Sequence, residues 1–291
     1  MASGDSVVEI DGSALEGGAT VGSTEIEFRP GPVRGGDYLA DTHTAGSICL
    51  LMQAAMPCFL MGNSPGTMAL RGGTDADMAP PLDHTLMIGR RGYYPKGGGE
   101  VFVKVYPVKQ VSSVVMMDPG NITRVYGRAF VAGVLPVRIC HEMVENCERA
   151  IRQDFCDVPV KIEVVKEKNA IGNACGMIVC AETDTGCTFG SSILGKKGKP
   201  AHAVGKEAGE GLLNQLCHGG CVDDFVQDQI IIYMALAKGK SCVRCGPLTL
   251  HTETAIHIAT QLTEAKFTVH KISASQTVIE CEGIGLQNPN L

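Results

Sequence analysis

Glycine pairs and triplets recur at Gly17-Gly18, Gly35-Gly36, Gly72-Gly73, Gly97-Gly98-Gly99 and Gly219-Gly220, and each apolar run between them is long enough for one strand or one helix. Such clusters mark tight turns or close backbone approach, so the chain is cut into many short elements. Residues 100–105 follow three glycines and alternate strictly, the clearest strand in the sequence. Residues 7–10, 23–28 and 35–40 read as further strands. Over residues 44–56, Leu50, Leu51 and Ala54 lie at helical spacing, with Thr44 or Ser47 as cap and Pro57 as stop. Residues 59–61 and 68–70 read as strands about a turn at Ser64-Pro65-Gly66, and a helix is expected from Gly72-Gly73-Thr74 through Met87.

After a connector at 114–121 a new unit begins. The pattern predicts a strand over 123–129, a charged amphipathic helix over 137–153, and strands over 160–165 and 176–181. Helices over 203–216 and 223–237 follow, then a strand or loop over 242–250. A last helix runs from near Thr252 to near Ala265, and strands over 267–270 and 277–281 close the chain. The reading is an α+β fold with two related βαβαββ-like stretches, the mark of a duplicated module.

Net charge is −6 and aromatic content is 5% with no Trp. The first argues against tight non-specific binding of nucleic acid, and the second against aromatic base-stacking platforms. A local pocket for one RNA end remains open. Thirteen cysteines, an odd number, many within apolar runs, and a polar, acidic stretch at residues 1–10 read as reduced thiols in an intracellular protein. The longest apolar run, residues 48–61, is broken by Gln53 and Pro57 and is too short to span a bilayer.

Several residues suit chemistry. His251 ends the run Pro247-Leu248-Thr249-Leu250 and precedes the predicted helix, where free N–H groups favour phosphates and keep an imidazole neutral and nucleophilic. A loop histidine without a role is the alternative. Asp224 and Asp228 share one helix face, fit to orient a histidine or hold Mg²⁺, or simply solvated. Thr44-Ala45-Gly46-Ser47 opens a helix with small and hydroxyl residues, as a phosphate contact or an ordinary cap. Gln53 is polar on an apolar helix and needs a partner, a base or a backbone group. Residues 190–197 approach a P-loop, but Lys197 stands where that motif needs Ser or Thr. Cys217, Cys221, Cys242 and Cys245 are spaced loosely for zinc and read as core or exposed thiols.

Seven segments resemble one family in order along the chain. They are Asp41-Thr42-His43-Thr44-Ala45-Gly46-Ser47, Gly72-Gly73-Thr74-Asp75-Ala76-Asp77-Met78-Ala79-Pro80, and the Arg91-Gly92-Tyr93-Tyr94-Pro95-Lys96-Gly97-Gly98-Gly99-Glu100 run. They continue with Gly127-Arg128-Ala129-Phe130-Val131-Ala132-Gly133, His218-Gly219-Gly220, Gln227-Asp228-Gln229 and Gly246-Pro247-Leu248-Thr249-Leu250-His251-Thr252. The family is RNA 3′-terminal phosphate cyclase, in its eukaryotic branch. The resemblance implies repeated modules with helices on four-stranded sheets, here residues 1–121 and 196–291, and a small inserted α/β domain at 122–195. It implies ATP-dependent cyclisation of an RNA 3′-phosphate, with Mg²⁺ or Mn²⁺, in the nucleus, with no DNA or membrane partner. His251 takes the position of the nucleophile that carries AMP. Gln53, Pro80, Asp228 and Gln229 take nucleotide-pocket positions, Phe225 replaces a Tyr there, and Glu16 matches a glutamate near the metal. Two family segments are absent, one after Gly18 that includes most of a first module and its phosphate-binding arginines, and a shorter one between Ile88 and Arg91. Loss of a module exposes apolar surface and leaves a second reading, an inactive cyclase-like RNA-binding or ribosome-assembly factor.

Overall fold

A computed structural model describes residues 14–17, 22–75 and 87–291, with residues 14–17 and Met87 as backbone only. The chain enters through an antiparallel ribbon of β1 (Ala14–Gly17) and β2 (Glu27–Arg29). A first module follows: β3 (Gly36–Asp41), α1 (Ile48–Leu60), β4 (Gly66–Gly72), β5 (Met87–Arg90) and β6 (Gly99–Val105). Its sheet has the order β3-β4-β6-β5, with β3 and β4 parallel and the other pairs antiparallel. Alternation decides the packing: Met68 and Leu70 from β4 and Val101, Val103 and Val105 from β6 face one side, where Ile48, Cys49, Ala55 and Phe59 of α1 cover them.

The second module starts with β7 (Val115–Met116) and resumes, about a hundred residues on, with α4 (Asp224–Leu236), β12 (Lys238–Cys245), α5 (Leu250–Leu262), β13 (Lys266–Lys271) and β14 (Thr277–Ile284). Its order is β7-β12-β14-β13, and β7 and β12 run parallel. Both modules thus place their strands as first, second, fourth, third. The duplication read from the pattern is present as topology. Within the second module stands the insert, β8 (Ile122–Ala132), α2 (Arg138–Ile151), β9 (Val160–Glu167), β10 (Cys175–Thr183), β11 (Thr188–Leu194) and α3 (Ala201–Leu216). Its sheet has the order β9-β8-β10-β11, and α2 and α3 lie side by side on one face. Met143, Cys147 and Ile151 of α2 and Val204, Ala208 and Leu212 of α3 share one core with Ala129, Val131, Met177 and Val179. Gly205 lets the two helices approach, since a Cβ there would sit 2.0 Å from the Met143 carbonyl oxygen. The insert's core therefore runs past Gly195 to α3 and to Cys221.

Three elements differ from the sequence expectation. Helix α1 does not stop at Pro57 but continues to Leu60, so residues 59–61 form no strand. The proline removes one N–H, the one that would reach the Gln53 carbonyl, while Phe59 behind it is buried on the sheet with its ring edge-on to Tyr38 at 5.1 Å. Helix α5 begins at Leu250 rather than near Thr252, which puts His251 inside its first turn. The sheet of the first module is complete with four strands, because β5 supplies the fourth across a bulge between Ile88 and Arg90. The expected helix from Thr74 to Met87 lies largely in residues outside the description, and Met87 opens β5.

The first module meets the insert through a dense joint. Arg91, buried, pairs with Asp75 at 3.2 Å and with Glu167 at 3.0 Å, and Glu167 also pairs with Arg128. Tyr93 stacks on Phe130 with ring centres 5.6 Å apart. Tyr93 N–H donates to the Ile171 carbonyl and Ile171 N–H donates to the Arg91 carbonyl, which ties the backbones of the two bodies together.

Candidate active site

Helices α1, α4 and α5 converge on a cavity of about 480 Å³, a volume suited to a nucleotide-sized ligand. Its lining includes Met52, Gln53 and Met56 from α1, Asp228, Gln229 and Tyr233 from α4, and Ala255 from α5. The spacing of these residues is that of one helical face on each element. Helix α1 is placed by its Ser47 cap, whose hydroxyl accepts from Leu50 N–H at 3.4 Å, and by its apolar stripe on the sheet. Pro57 leaves the Gln53 carbonyl without the donor that a helix normally supplies four residues on.

Helix α4 is fixed by Asp223. This buried carboxylate accepts from Phe225 N–H at 3.1 Å and Val226 N–H at 2.9 Å as the cap, and from Gly190 N–H of β11 at 2.9 Å. Burial raises the Asp223 pKa in spite of these three donors. Asp224 does not share the cavity with Asp228: its carboxylate accepts from the Gln215 side chain at 3.1 Å, toward α3. Of the pair, Asp228 alone lines the cavity, and burial pushes its carboxyl pKa up while the His251 side chain pulls it part of the way back. His251 is thus close enough to Asp228 to be felt electrostatically. It also stands one helical turn before Ala255 of the lining.

The position of His251 is set by a buried glutamine. Gln227, 1% exposed, accepts with its Oε1 from Thr249 N–H at 2.9 Å and from the Thr252 hydroxyl at 2.6 Å, and it donates with Nε2 to the Pro247 carbonyl at 3.2 Å. Thr249 caps α5, its hydroxyl accepting from Thr252 N–H at 3.1 Å. The first turn of α5 is therefore clamped to α4 on both sides of His251, which itself is exposed.

The sequence-derived candidates separate as follows. Gln53, Asp228 and Gln229 line the same cavity; His251 is not among the lining residues and stands one turn before Ala255, which is. Phe225 is half-buried and is not among the lining residues; its carbonyl accepts from the Gln229 side chain at 2.7 Å. Pro80 lies outside the described residues, and of Glu16 only the backbone, in β1, is described. Gln227 and Tyr233 carried no role in the sequence reading. The signal for Gln227 was a polar residue on the apolar face of its helix; for Tyr233 it was the one-turn step from Gln229. Among the described residues no group of three or more His, Cys, Asp or Glu side chains is placed to hold a metal, and the cysteines are free thiols. Residues 190–194 form the edge strand β11 and not a phosphate loop.

Comparisons with known proteins bear on this site. The family model described as RNA 3′-terminal phosphate cyclase matches residues 5–89 and 83–269. The chain is 36% identical to the RNA 3′-terminal phosphate cyclase of Drosophila melanogaster over 284 residues, covering 91% of this chain and 79% of that one. It is 36% identical to a probable RNA 3′-terminal phosphate cyclase of Dictyostelium discoideum over 295 residues, covering 92% and 68%. To the RNA 3′-terminal phosphate cyclase of Pyrobaculum aerophilum it is 32% identical over 284 residues, covering 92% and 80%. Agreement at this level, spread over both modules and the insert, goes beyond a shared architecture: the chain belongs to the RNA 3′-terminal phosphate cyclase family.

Proposed function

We propose that the protein uses ATP to convert the 3′-terminal phosphate of an RNA into a 2′,3′-cyclic phosphate, through a covalent AMP carried on His251. The observation that carries this reading is the placement of His251 in the clamped first turn of α5, one helical turn before Ala255, which shares a cavity with Gln53, Asp228 and Gln229. A ring nitrogen of His251 attacks the α-phosphorus of ATP, and pyrophosphate leaves with the electrons of the broken P–O bond. The RNA 3′-phosphate then takes the AMP, which frees the histidine and makes the 3′-phosphorus reactive. The neighbouring 2′-hydroxyl attacks that phosphorus, loses its proton and expels AMP. Three easier displacements replace one hard one.

The residues divide the work by chemistry. The α5 terminus offers free N–H groups and a favourable field to the phosphates at His251. Gln53 and Gln229 present amides to a base or ribose, and Met52, Met56 and Tyr233 give apolar walls. Asp228 is the one carboxylate among the described lining residues. With no clustered ligand set among the described residues, Mg²⁺ or Mn²⁺ would arrive on the triphosphate, whose charge it offsets. A nuclear location belongs to the same reading, and antibody staining of intact cells tests it.

The deciding experiment incubates the folded chain with Mg²⁺ and α-labelled ATP beside a His251→Ala variant. AMP label that survives denaturation on the parent and is absent from the variant is the expected result. No label on a folded parent overturns the reading and leaves an inactive, RNA-binding member of the family.

A further inference from the structure

A second cavity, about 620 Å³, opens where the first module meets the insert. It shares no lining residue with the cavity at Gln53 and Asp228. Its walls come from three places. The loop before α1 gives Ala45; the turn after the joint gives Tyr93 and Tyr94; and the insert gives Asn173, Leu194 and the Gly195-Lys196-Lys197 turn.

The two adjacent tyrosines have opposite fates. Tyr93 is 2% exposed and stacks on Phe130, so the joint between the bodies accounts for it. Tyr94 is 83% exposed and lines the cavity, more open than Tyr106, Phe28 or Phe102, and nothing in the core uses its ring. An aromatic ring held in solvent at the edge of a cavity is a stacking surface for a planar ligand. The charge around it is basic. Lys196 and Lys197 line the cavity, and Lys96 is exposed on the same turn as Tyr94. Asp75, the acid in the wall, is held by the Arg91 guanidinium and by the Thr74 hydroxyl at 2.7 Å, so its charge is compensated within the protein. A chain with a net charge of −6 thus gathers lysines around an exposed ring at this place. A basic rim with one stacking ring is the chemistry that takes single-stranded nucleic acid.

The position fits a strand on its way to the reaction. Ala45 precedes α1, and Gln53 on the same helix lines the nucleotide cavity. From Ser47 to Gln53 the helix advances about 9 Å, at about 1.5 Å per residue. We propose that this cavity binds the RNA strand just inside its 3′ end, with a base stacked on Tyr94 and backbone phosphates against Lys196 and Lys197. The inference deepens the cyclase reading and rests on it for the identity of the strand.

The test is fluorescence anisotropy with the intact chain and a 5′-fluorescein single-stranded oligoribonucleotide ending in a 3′-phosphate. The variants are Tyr94→Ala, Tyr94→Phe and the double change Lys196→Ala/Lys197→Ala, each with its melting curve as a check of folding. Tyr94→Ala is expected to weaken binding about tenfold, within the range set by one stacked base, and Tyr94→Phe to bind as the parent does. The double lysine change is expected to lower the slope of log affinity against log salt by about 1.4, two phosphate contacts. Binding unchanged in Tyr94→Ala overturns the proposal, and so does a parent that binds no RNA. A loss confined to the lysine variant also overturns it, because a surface for any anion would behave that way. AMP labelling of the parent is scored separately. A labelled parent with Tyr94-independent binding sinks this site alone; an unlabelled parent with Tyr94-dependent binding sinks the reaction alone.

Discussion

At the scale of the residue, Asp228 is where stability and chemistry oppose each other. Its carboxyl is raised by burial, so the folded state holds the proton more tightly than the unfolded chain does. The stability tied to this group is full below the unfolded pKa and falls as pH rises through the folded value. Asp228→Asn removes the buried charge. The variant should therefore melt higher than the parent at pH 7, by a margin that shrinks on acidification and disappears once both side chains are neutral, near pH 3. It should also lose AMP labelling. Melting curves across pH beside the labelling assay check both halves, and a variant that melts lower at neutral pH contradicts the assignment. The prediction for His251, the proposed carrier of AMP, is simpler: it is exposed, so His251→Ala should leave the melting point nearly unchanged while abolishing the label. The identities of these residues were legible in the sequence because polar groups stood in motifs with a chemical use. Asp224 was legible only as an equal partner of Asp228, since spacing along a helix says which residues share a face and not that Gln215 of α3 claims one of them.

At the scale of the element, the α4–α5 clamp matters more than either helix alone. Gln227→Leu keeps the volume of the side chain but strands Thr249 N–H and the Pro247 carbonyl and leaves the Thr252 hydroxyl only its Thr249 partner. A loss of about 2–3 kcal/mol in unfolding free energy is expected from buried groups left unpaired, read by urea denaturation. If Gln227 also positions His251, the rate of labelling at saturating ATP should fall while the ATP concentration for half-saturation holds. A loss of stability with the full rate would leave Gln227 a structural residue. Elements with a strong pattern were legible: strand β6 and helix α2 stand where alternation and amphipathicity put them, and α4 fills the apolar run after Gly219-Gly220. The failures have local causes. Pro57 reads as a stop, yet a proline late in a helix forfeits one hydrogen bond, and Phe59 packed on Met68 and Leu70 outweighs it. The start of α5 was misplaced by two residues because Thr249 and Thr252 both suit a cap, and only the Gln227 contacts single out Thr249.

At the scale of the molecule, the joint between the first module and the insert is ionic at its centre. Arg91→Met removes the guanidinium paired with buried Asp75, which keeps the Thr74 hydroxyl, and one of the guanidinium pairs of Glu167. Uncompensated buried charge of this kind costs about 3–5 kcal/mol, which denaturation should register. Such contacts between distant segments leave no trace in local pattern, so the joint was not readable in the sequence, nor was the sharing of the insert's core by α3, beyond the expected end at residue 195. The second cavity escaped notice for the same reason, since Tyr94 and Lys197 are 103 positions apart, 197 − 94, and meet only in the folded chain. Apolar side chains remain exposed on the helices of the second module, Ile232 of α4 in the wall of the first cavity and Leu250, Ile258 and Leu262 on α5.

The insert interrupts its host module after a single two-residue strand. Val114 N–H bonds to the Ser241 hydroxyl across 127 positions, and β7 pairs with β12 over the same gap. During synthesis the insert has all of its own strands and helices before the second module has more than its first strand. The ladders of the insert span fewer positions than the β7–β12 pairing does, and near contacts form sooner. The entropic cost of joining β7 to β12 falls modestly once the insert has condensed, because the flexible chain left between them is shorter and the cost of closure grows only slowly with loop length. The inserted domain, in this order of events, is the body against which the second module closes last.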